Sequence, residues 1–330
     1  MMNFCTLFDS YYLLKGLGLY LSLEKVTSDF HLFVMAFDKD CYNKLQSFGL
    51  KHITVELLDD FETPELLEAK KDRTMAEYCW TCGPSVIWHF LKKYNLSDIT
   101  YLDSDLYFMS NPSVIQDEIG GASVAITEQG IDEESARQYG RYCVQYMFFK
   151  NNEEGCNVLA WWRDKCIEWC FQRFEENRYA DQKYLDEFPS LCPSLCVIGN
   201  PGVGIAPWNM HHYTFKDNCI VKEGKEYVFV FYHMHGIVAE INGDHLTMHS
   251  VHHYFSKEDV ELFLLPYARL IMDVLNRFYN KGLATCDAHG IQGVKRMEYL
   301  LRGLLRKNKI VQWLYFDVLK KTYQGHGKKF

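Results

Sequence analysis

The sequence lacks any long apolar run. No apolar stretch reaches the roughly 20 residues that a membrane-spanning helix needs. The N-terminal MMNFCTLFDS has no basic segment followed by an apolar one, so no signal peptide is predicted and we expect a cytoplasmic protein. The 330 residues, 48% hydrophobic and 24% charged, suit one large folded domain or a core domain with an extension.

The density of cysteine expected of a disulfide scaffold is also missing. The 12 cysteines are spread along the chain, and in a reducing compartment most are expected to be small core residues. Cys79 and Cys82 form a C-x-x-C pair, but the flanking residues do not have the pattern of a strand entering a helix, which disfavours a redox role. Structural zinc would need a second such pair or suitably spaced histidines, and the 13 histidines keep it as an alternative.

Positive charge is scarce except at the C-terminal end. The formal net charge is −8, and the eight basic residues and one acidic residue from Arg302 onward give +7 for the tail, which leaves −15 for residues 1–301. The net negative charge of residues 1–301 disfavours nucleic-acid binding. Apolar residues interleave with the basic ones in the tail. This pattern fits either a peripheral contact with an anionic membrane surface or a C-terminal helix whose basic face lies in water.

Hydrophobic periodicity predicts an α/β fold. Four strands are expected, near residues 3–9, 31–37, 52–58 and 97–108. Helical segments separate them, at residues 12–25, 38–48 and 64–94. This alternation is typical of parallel βαβ units in a doubly wound sheet.

The second half is less regular. It contains predicted strands at 123–127, 143–149 and 226–236, helices at 152–175 and 180–188, and a Gly- and Pro-rich loop at 198–209. The pattern is mostly helical from 256 to 323. We therefore expect one α/β domain over residues 1–250 and a helical C-terminal extension over residues 251–330.

An acidic pair, Asp103-Ser104-Asp105, follows an apolar strand. Ligands of open α/β sheets bind beyond the carboxyl ends of the strands. Two carboxylates two residues apart on an extended chain point to the same side and repel each other unless a cation lies between them. Mg²⁺ or Mn²⁺ suits such oxygen ligands and often completes its shell with substrate phosphates. The motif predicts a cation site for a diphosphate; a solvated loop is the alternative.

A haloacid-dehalogenase-type phosphatase would also place D-x-D after an apolar strand. In those enzymes the motif usually follows the first strand of the fold, with a small or hydroxyl residue next. Here Leu106 follows and three strands precede, which disfavours that class.

Two further pairs have side chains suited to the same site. His233 and His235 end a predicted strand on one face, so one of them could supply a third metal ligand; buried, hydrogen-bonded imidazoles are the alternative. Asp181 and Gln182 lie in a polar stretch and could reach a sugar, with a solvated helix face as the alternative.

Residues near the first strand are candidates for donor binding. Asp9, with Tyr11 or Tyr12, could hold a nucleoside by accepting a hydrogen bond and stacking on the base. Arg73, at the start of a helix, could contact a diphosphate, with a surface salt bridge as the alternative.

Several blocks together resemble one known group. The chain resembles bacterial GT-A-fold glycosyltransferases of the nucleotide-diphospho-sugar transferase superfamily, and is similar to glycogenin-like and lipopolysaccharide galactosyltransferase-like enzymes. The resemblance covers about residues 3–240, through the blocks TLFDSYY, ITYLDSDLYFMSNP, ADQKYLDEF, GVGIAPWN and FYHMHG. It implies a GT-A mixed sheet flanked by helices and transfer of a sugar from a UDP-sugar.

The resemblance also implies roles for individual residues. Asp103 and Asp105 would bind the cation, usually Mn²⁺, with Asp103 near the ribose and Ser104 beside the donor. His233 matches the late metal-binding histidine of the H-x-x-G block, and His235 is the competing choice.

The nucleotide and sugar subsites follow by position. Phe8, Asp9 and Tyr12 match the nucleotide-binding end of the first strand. Asp181 and Gln182 match an Asp-Gln pair near the donor sugar and the acceptor, with Asp181 as base or electrostatic stabiliser.

Two departures from the family pattern stand out. The relatives usually follow H-x-x-G with Lys-Pro-Trp, whereas Ile237-Val238-Ala239-Glu240 stands here, and Trp208 lies upstream. An Asn-x-Gly common near position 145 is replaced by Val144-Gln145-Tyr146. We expect Trp208 to line the site by another route, and the resemblance implies retention of the anomeric configuration.

The sequence thus predicts a metal-dependent glycosyltransferase. Its basic tail suggests an acceptor at the inner face of a membrane, such as a lipid-linked saccharide for capsule or lipopolysaccharide synthesis. The alternative is a non-catalytic protein of the same fold that binds nucleotide sugars or carbohydrates.

Overall fold

The structure is a computed structural model that describes residues 1–242, 245–250 and 253–278. Its first half alternates strands and helices as the periodicity predicts. The elements are β1 (Met2–Phe8), α1 (Leu13–Val26), β2 (Phe30–Ala36), α2 (Lys39–Ser47), β3 (Ile53–Leu57), α3 (Pro64–Lys70), α4 (Met75–Lys93) and β4 (Asp98–Leu102).

The predicted helix over 64–94 is in fact two helices. Thr74 begins the second, because its hydroxyl accepts a hydrogen bond from the Glu77 N–H while the Glu77 carboxylate accepts from the Thr74 N–H. This reciprocal arrangement satisfies two backbone donors at the helix start. Residues 71–74 therefore form a break between α3 and α4.

The second half contains shorter elements. They are β5 (Leu106–Phe108), α5 (Ser113–Ile119), β6 (Val124–Glu128), α6 (Glu133–Tyr139), β7 (Tyr142–Lys150), α7 (Glu153–Glu168), α8 (Phe188–Leu191), β8 (Leu195–Ile198), β9 (Thr214–Lys216), β10 (Cys219–Lys222), β11 (Lys225–Val228), β12 (Phe231–His233), β13 (Ile237–Asn242), β14 (His245–Ser250), α9 (Lys257–Asp259) and α10 (Leu265–Phe278).

Three predicted boundaries in this half were wrong. The helix at 152–175 ends at Glu168, because Trp169 has an extended backbone. The strand at 226–236 is two strands, β11 and β12. The helix at 180–188 is a 3-10 turn over Lys183–Glu187 that leads into α8.

One mixed sheet of seven strands organises the fold, in the order β3-β2-β1-β4-β7-β6-β8. Strands β3, β2, β1 and β4 are parallel, whereas β7 runs antiparallel to both of its neighbours. The carboxyl ends of the parallel strands share one edge of the sheet, which is where ligands of such sheets bind. The prediction of a mixed α/β sheet flanked by helices is confirmed.

Helices cover both faces of the sheet. Alternate residues of each strand point to opposite sides, so Phe4 packs in one core and Cys5 in the other. The first core contains apolar side chains of α1, α2 and α10, and the second those of α3, α4 and α7. These two layers fix the edge of the sheet that holds the candidate site.

The C-terminal part of the described chain packs against α1. Tyr267 and Ile271 of α10 lie close to Gly18 of α1, where an added Cβ would be 3.3 Å from the Ile271 Cδ1. Lys25 Nζ also pairs with Asp273 at 2.6 Å. The domain boundary at residue 250 stays a prediction, and the basic tail from residue 302 lies outside the described residues.

Within the described ranges, no helix combines the length and the apolar character needed to cross a bilayer.

Candidate metal and donor site

The acidic pair lies in a turn at the carboxyl end of β4. The Asp103 N–H donates to the Gln145 carbonyl at 3.0 Å, and the Leu106 N–H donates to the Asp103 carbonyl at 3.2 Å. The chain then turns into β5. The carboxylates therefore lie between two strands, with Ser104 half-buried between them, and not on one continuous strand as the sequence suggested.

A second strand places a histidine over this turn. Strand β12 runs antiparallel to β5, with His233 opposite Leu106. The Met234 N–H donates to the Asp105 carbonyl at 2.9 Å. As a result, the His233 Nε2 is 3.1 Å from the Asp105 Oδ1 and 3.6 Å from the Asp103 Oδ2.

These three side chains have the donors and spacing of a divalent-cation site. One ligand atom from each of Asp103, Asp105 and His233 lies within 4.8 Å of the other two. Neighbouring ligands of an octahedral ion with bonds of about 2.1 Å lie about 3.0 Å apart. Two carboxylates and one imidazole therefore fit Mn²⁺ or Mg²⁺ and leave coordination positions for phosphate oxygens.

The other nitrogen of His233 faces the protein interior. Its Nδ1 is 2.9 Å from the Oε1 of Gln145, which is fully buried on β7. The Gln145 Nε2 donates to the Thr127 Oγ1 at 3.1 Å, and the Thr127 hydroxyl donates to the Cys143 carbonyl at 3.5 Å. Because a carbonyl only accepts, this chain makes Gln145 Oε1 the acceptor, so Nδ1 carries the proton and Nε2 faces the carboxylates.

A lysine also contacts this site. The Lys15 Nζ, from the first turn of α1, lies 3.2 Å from the Asp105 Oδ2. Both side chains are largely buried, with 16% of Lys15 and 9% of Asp105 exposed. The two oxygens of Asp105 therefore face different cationic groups, Lys15 on one side and His233 on the other.

Electrostatics couple these groups. Burial alone would raise the pKa of Asp105, but the charges of Lys15 and His233 hold it well below its usual range. Burial would lower the pKa of His233, yet Asp105 and Asp103 raise it to about 10. Burial, with some repulsion from Asp105, raises the pKa of Asp103 to about 6. Without a cation, His233 is thus an imidazolium paired with Asp105, and a bound cation would displace its Nε2 proton.

Asp181 is buried beside this cluster instead of lying on a solvated helix face. Only 8% of it is exposed, and its carbonyl accepts a hydrogen bond from the Trp162 Nε1 at 2.9 Å. Burial, together with the nearby charge of Asp103, raises the pKa of Asp181 to about 8. Asp181 is therefore mostly neutral at pH 7 in this state.

Gln182 and Trp208 share a partner. The Gln182 Nε2 donates to the Gln129 Oε1 at 2.8 Å, and the Trp208 Nε1 donates to the Gln129 carbonyl at 2.7 Å. The Trp208 ring packs edge-on against His233 and His235, at centroid distances of 5.5 and 5.4 Å. Trp208 therefore contacts both histidines from the loop upstream of them, and its role in lining a donor site stays a prediction.

His235 lies outside the three-residue cluster. Strand β12 ends at His233, so His235 falls in the following turn and not on the same strand face. Its charge still helps to lower the pKa of Asp105, after burial, Lys15 and His233. The geometry favours His233 as the metal ligand, and the assignment stays a proposal.

Backbone demands explain the glycines of the loop before Trp208. Gly204 has φ +90°, and an added Cβ there would lie 2.6 Å from the Gln145 Nε2. At Gly202 the added Cβ would lie 1.8 Å from the Val228 carbonyl oxygen. A side chain at Gly204 would displace Gln145, and one at Gly202 would push the loop away from the end of β11.

The end of β1 carries the candidate nucleotide contacts. The Asp9 Oδ1 accepts a hydrogen bond from the Tyr12 N–H at 3.0 Å, and Tyr11 and Tyr12 are exposed rings 5.5 Å apart. The Lys15 Nζ lies 4.7 Å from the centre of the Tyr12 ring. Phe8 is in the core, where its ring packs against Gly16, so its side chain is not positioned to contact a nucleotide.

The Arg73 side chain is buried at the break between α3 and α4. Only 2% of its side chain is exposed, and its guanidinium lies 3.9 Å from the centre of the Phe171 ring. It also pairs with Asp72 and donates to the Ile167 carbonyl at 3.4 Å. Among the described contacts none joins Arg73 to the acidic pair, so its contact with a diphosphate stays a prediction.

Two residues that contact the acidic pair or His233 were not predicted from the sequence. Lys15 lies among the leucines of α1 and does not stand out as a site residue. Its position six residues after Asp9, close to the carboxyl end of β1, nevertheless places it near the ligand-binding edge of the sheet. Gln145 was noticed only as a departure from the Asn-x-Gly pattern. Its position on the strand next to β4 is what connects it to His233.

Comparison with solved structures defines the class of fold. The chain superposes on the galactosyltransferase LgtC, solved with donor and acceptor sugar analogues, with a TM-score of 0.54 and 10% identity over 82% of this chain and 96% of that one. The glycosyltransferase GlyE of Streptococcus pneumoniae TIGR4 gives a TM-score of 0.50 and 12% identity over 86% of this chain and 64% of that one. The chain therefore has the fold of these glycosyltransferases, and the prediction of a GT-A fold is confirmed.

Comparison of sequences defines the family. The chain is 31% identical to the uncharacterized protein YfnF of Bacillus subtilis (strain 168) over 304 residues, which cover 86% of this chain and 98% of YfnF. It is also 31% identical to the uncharacterized protein YfnD of the same organism over 244 residues, 71% of this chain and 77% of YfnD. The chain belongs to the family of YfnF and YfnD. No protein-family model matches it.

Proposed function

We propose that this protein is a metal-dependent glycosyltransferase that moves a sugar from a nucleotide diphosphate to an acceptor hydroxyl. One observation carries the proposal: Asp103, Asp105 and His233 converge at the ligand-binding edge of a GT-A sheet with the spacing of a cation site. The fold supports it further, because LgtC and GlyE, which share that fold, are glycosyltransferases.

The cation is the group that acts on the diphosphate. When Mn²⁺ or Mg²⁺ is bound, it neutralises the diphosphate and stabilises the negative charge that develops on the leaving nucleoside diphosphate. Asp103, Asp105 and His233 would hold it, and Ser104 lies in the turn beside them. Gln145 keeps the Nε2 of His233 directed at this position.

The donor would extend from the cation towards the end of β1. Asp9 and Tyr12 offer an acceptor and an exposed ring for a nucleoside, with Phe8 supporting them from the core. We propose a UDP-sugar as the donor, because the family resemblance implies it. Trp208, which packs against His233 and His235, is a further proposed contact of the donor.

Asp181 and Gln182 are the proposed residues at the sugar. Asp181 is buried beside Asp103, whose charge contributes to its raised pKa, so a cation on Asp103 would favour ionised Asp181. An ionised Asp181 could act as a base or stabilise positive charge on the reacting carbon. We propose retention of the anomeric configuration on the family resemblance.

The acceptor is proposed from the sequence. The basic, apolar-rich tail supports a saccharide or lipid-linked saccharide at the inner face of a membrane, with capsule or lipopolysaccharide synthesis as the setting and the cytoplasm as the location. A binding assay of the full chain on anionic and neutral vesicles tests this step separately from catalysis.

The test of the function is release of UDP from UDP-sugars with and without Mn²⁺. We expect release that depends on the metal and falls by roughly 100-fold or more in Asp105→Asn, because that change removes a ligand of the charge-stabilising ion. Asp164→Asn, on an exposed carboxylate paired with Arg163, is the matched control and should behave as wild type.

Two results would contradict the proposal. If metal-dependent release of UDP survives in Asp105→Asn, Asp103, Asp105 and His233 are not the metal site of the reaction. Tight binding of a nucleotide sugar without release for any donor or acceptor would instead identify a non-catalytic binding protein on the same fold.

A further inference from the structure

Lys15 lies where its charge competes with a metal ion. Its ammonium is 3.2 Å from the Asp105 Oδ2, and the Asp105 Oδ1 is 3.1 Å from the His233 Nε2. Lys15 and His233 both form ion-pair contacts with Asp105, and the charge of His235 also acts on it. The carboxylate is therefore neutralised on both sides before any cation binds.

The backbone that carries Lys15 is firmly held. Only residues 9–12 separate β1 from α1, and Gly16 is packed so tightly that an added Cβ would lie 2.4 Å from the Phe8 ring. On its other side α1 packs against α10. The position of Lys15 is thus fixed by two neighbouring elements, and only its flexible side chain can change partners.

A divalent cation on Asp105 would change the preference of Lys15. The ion and the ammonium would then lie on the same small carboxylate, and like charges at such a distance repel strongly in a water-poor site. The ammonium must either remain beside the ion or turn to another anion. The exposed ring of Tyr12, 4.7 Å from the Lys15 Nζ, marks the side on which the site opens to solvent.

We propose that Lys15 exchanges partners during donor binding: it neutralises Asp105 in the metal-free protein and passes to the diphosphate of the donor when the cation binds. This inference rests on the proposed function, since it takes a nucleoside diphosphate as the incoming anion. When the cation takes the place of Lys15 beside the Asp105 carboxylate, a phosphate group of the donor becomes the new negatively charged partner of Lys15. Lys15 therefore opposes binding of the bare cation and favours binding of the cation together with the diphosphate.

Opposite changes in two affinities follow from this exchange. In Lys15→Met the cation no longer competes with an ammonium, so Mn²⁺ alone should bind about 5- to 10-fold more tightly. UDP in saturating Mn²⁺ should bind at least about 10-fold more weakly, because a charge-assisted contact to phosphate is lost. A lysine with a purely structural role would not move the two affinities in opposite directions.

Isothermal titration calorimetry of the full chain measures both quantities, first with Mn²⁺ alone and then with UDP in excess Mn²⁺. Lys25→Met is the matched control, because Lys25 lies on the same helix and pairs with Asp273 at the surface; it should leave both affinities unchanged. If Lys15→Met does not fold, Lys15→Gln keeps a hydrogen-bond donor without the charge and must shift both affinities in the same directions.

The outcomes separate this inference from the proposed function. Opposite shifts without sugar transfer to any acceptor would support the exchange and contradict the catalytic proposal. Sugar transfer by wild type, with Mn²⁺ binding unchanged or weakened in both Lys15 variants, would overturn the exchange alone. Absence of Mn²⁺ and UDP binding by wild type would overturn both.

Discussion

At the scale of single residues, the site depends on hydrogen bonds that no local pattern encodes. Gln145 is 88 positions from His233 in the sequence, and Lys15 is 90 positions from Asp105. Asp103 and Asp105 were predictable because both carboxylates follow one apolar strand. Their partners were not, because each partner is defined only by the pairing of distant strands and helices.

Gln145 offers a direct test of how His233 is oriented. In Gln145→Leu the Nδ1 proton loses its acceptor, so the ring can turn or change tautomer, and we expect Mn²⁺ affinity to fall about 10- to 100-fold. Thr127→Val, which removes the partner of the Gln145 amide, should weaken binding in the same direction by a smaller factor. Calorimetry measures the affinity, and a thermal melt in EDTA checks that the fold is intact. Unchanged affinity in both variants would contradict the orienting role.

Asp181 provides a pH-dependent stability test. Its pKa is about 8 in the folded protein against 3.8 for an ordinary carboxyl. Between these values the folded state retains a proton that the unfolded state releases, so this group makes the protein less stable as pH rises from about 4 to 8. The slope is at most about 1.4 kcal/mol per pH unit. In Asp181→Asn this residue no longer titrates, so its contribution to the loss of stability with rising pH disappears.

The measurement is the unfolding temperature in EDTA at pH 5 and pH 8. Asp181→Asn should gain stability relative to wild type at the higher pH, while the exposed control Asp164→Asn should not. A difference between Asp181→Asn and wild type that stays constant over this range would mean that Asp181 is ionised throughout.

At the scale of elements, the start of α4 connects a helix cap to the loop before Asp181. The Glu77 carboxylate accepts hydrogen bonds from the Thr74 N–H and from the Gln172 N–H, both at 2.8 Å. The T-x-x-E signature of residues 74–77 is readable in the sequence. The helical pattern of apolar residues runs through this signature from residue 64 to residue 94. Periodicity alone therefore predicts one long helix, whereas the capping pair marks the start of a second helix.

Three alanine variants separate these roles. Thr74→Ala removes one cap and should lower the free energy of unfolding by about 1 kcal/mol, as should Thr63→Ala at the start of α3. Glu77→Ala should lower it by more, because it also leaves the Gln172 N–H without its acceptor. Urea unfolding measures all three. Equal effects of Thr74→Ala and Glu77→Ala would mean that the bond to Gln172 contributes nothing.

At the scale of the whole molecule, the order of strands and helices was predictable and the direction of β7 was not. Hydrophobic periodicity identifies β1 to β4 and the helices between them, since all of them supply buried or partly buried apolar side chains to the two cores. Periodicity does not encode direction, however, and β7 runs antiparallel between β4 and β6. That reversal brings the Gln145 carbonyl to the Asp103 N–H.

Helix α10 supports the site through its packing against α1. Tyr267, Ile271 and neighbouring side chains of α10 share one core with Leu13 and Leu17 of α1. Because Lys15 projects from α1, the packing of α10 fixes the backbone from which Lys15 reaches Asp105. This helix, at the start of the predicted C-terminal extension, thus helps to hold α1 in place.

The pairing of β5 with β12 also sets when the protein can first hold a metal during its synthesis. His233 stands opposite Leu106 only after the late strand has docked on the early one. A nascent chain that has not yet released residue 233 from the ribosome carries the acidic turn without its imidazole. If the proposed site holds Mn²⁺, affinity for the ion should therefore appear late in synthesis, as a marker that β12 has paired with β5.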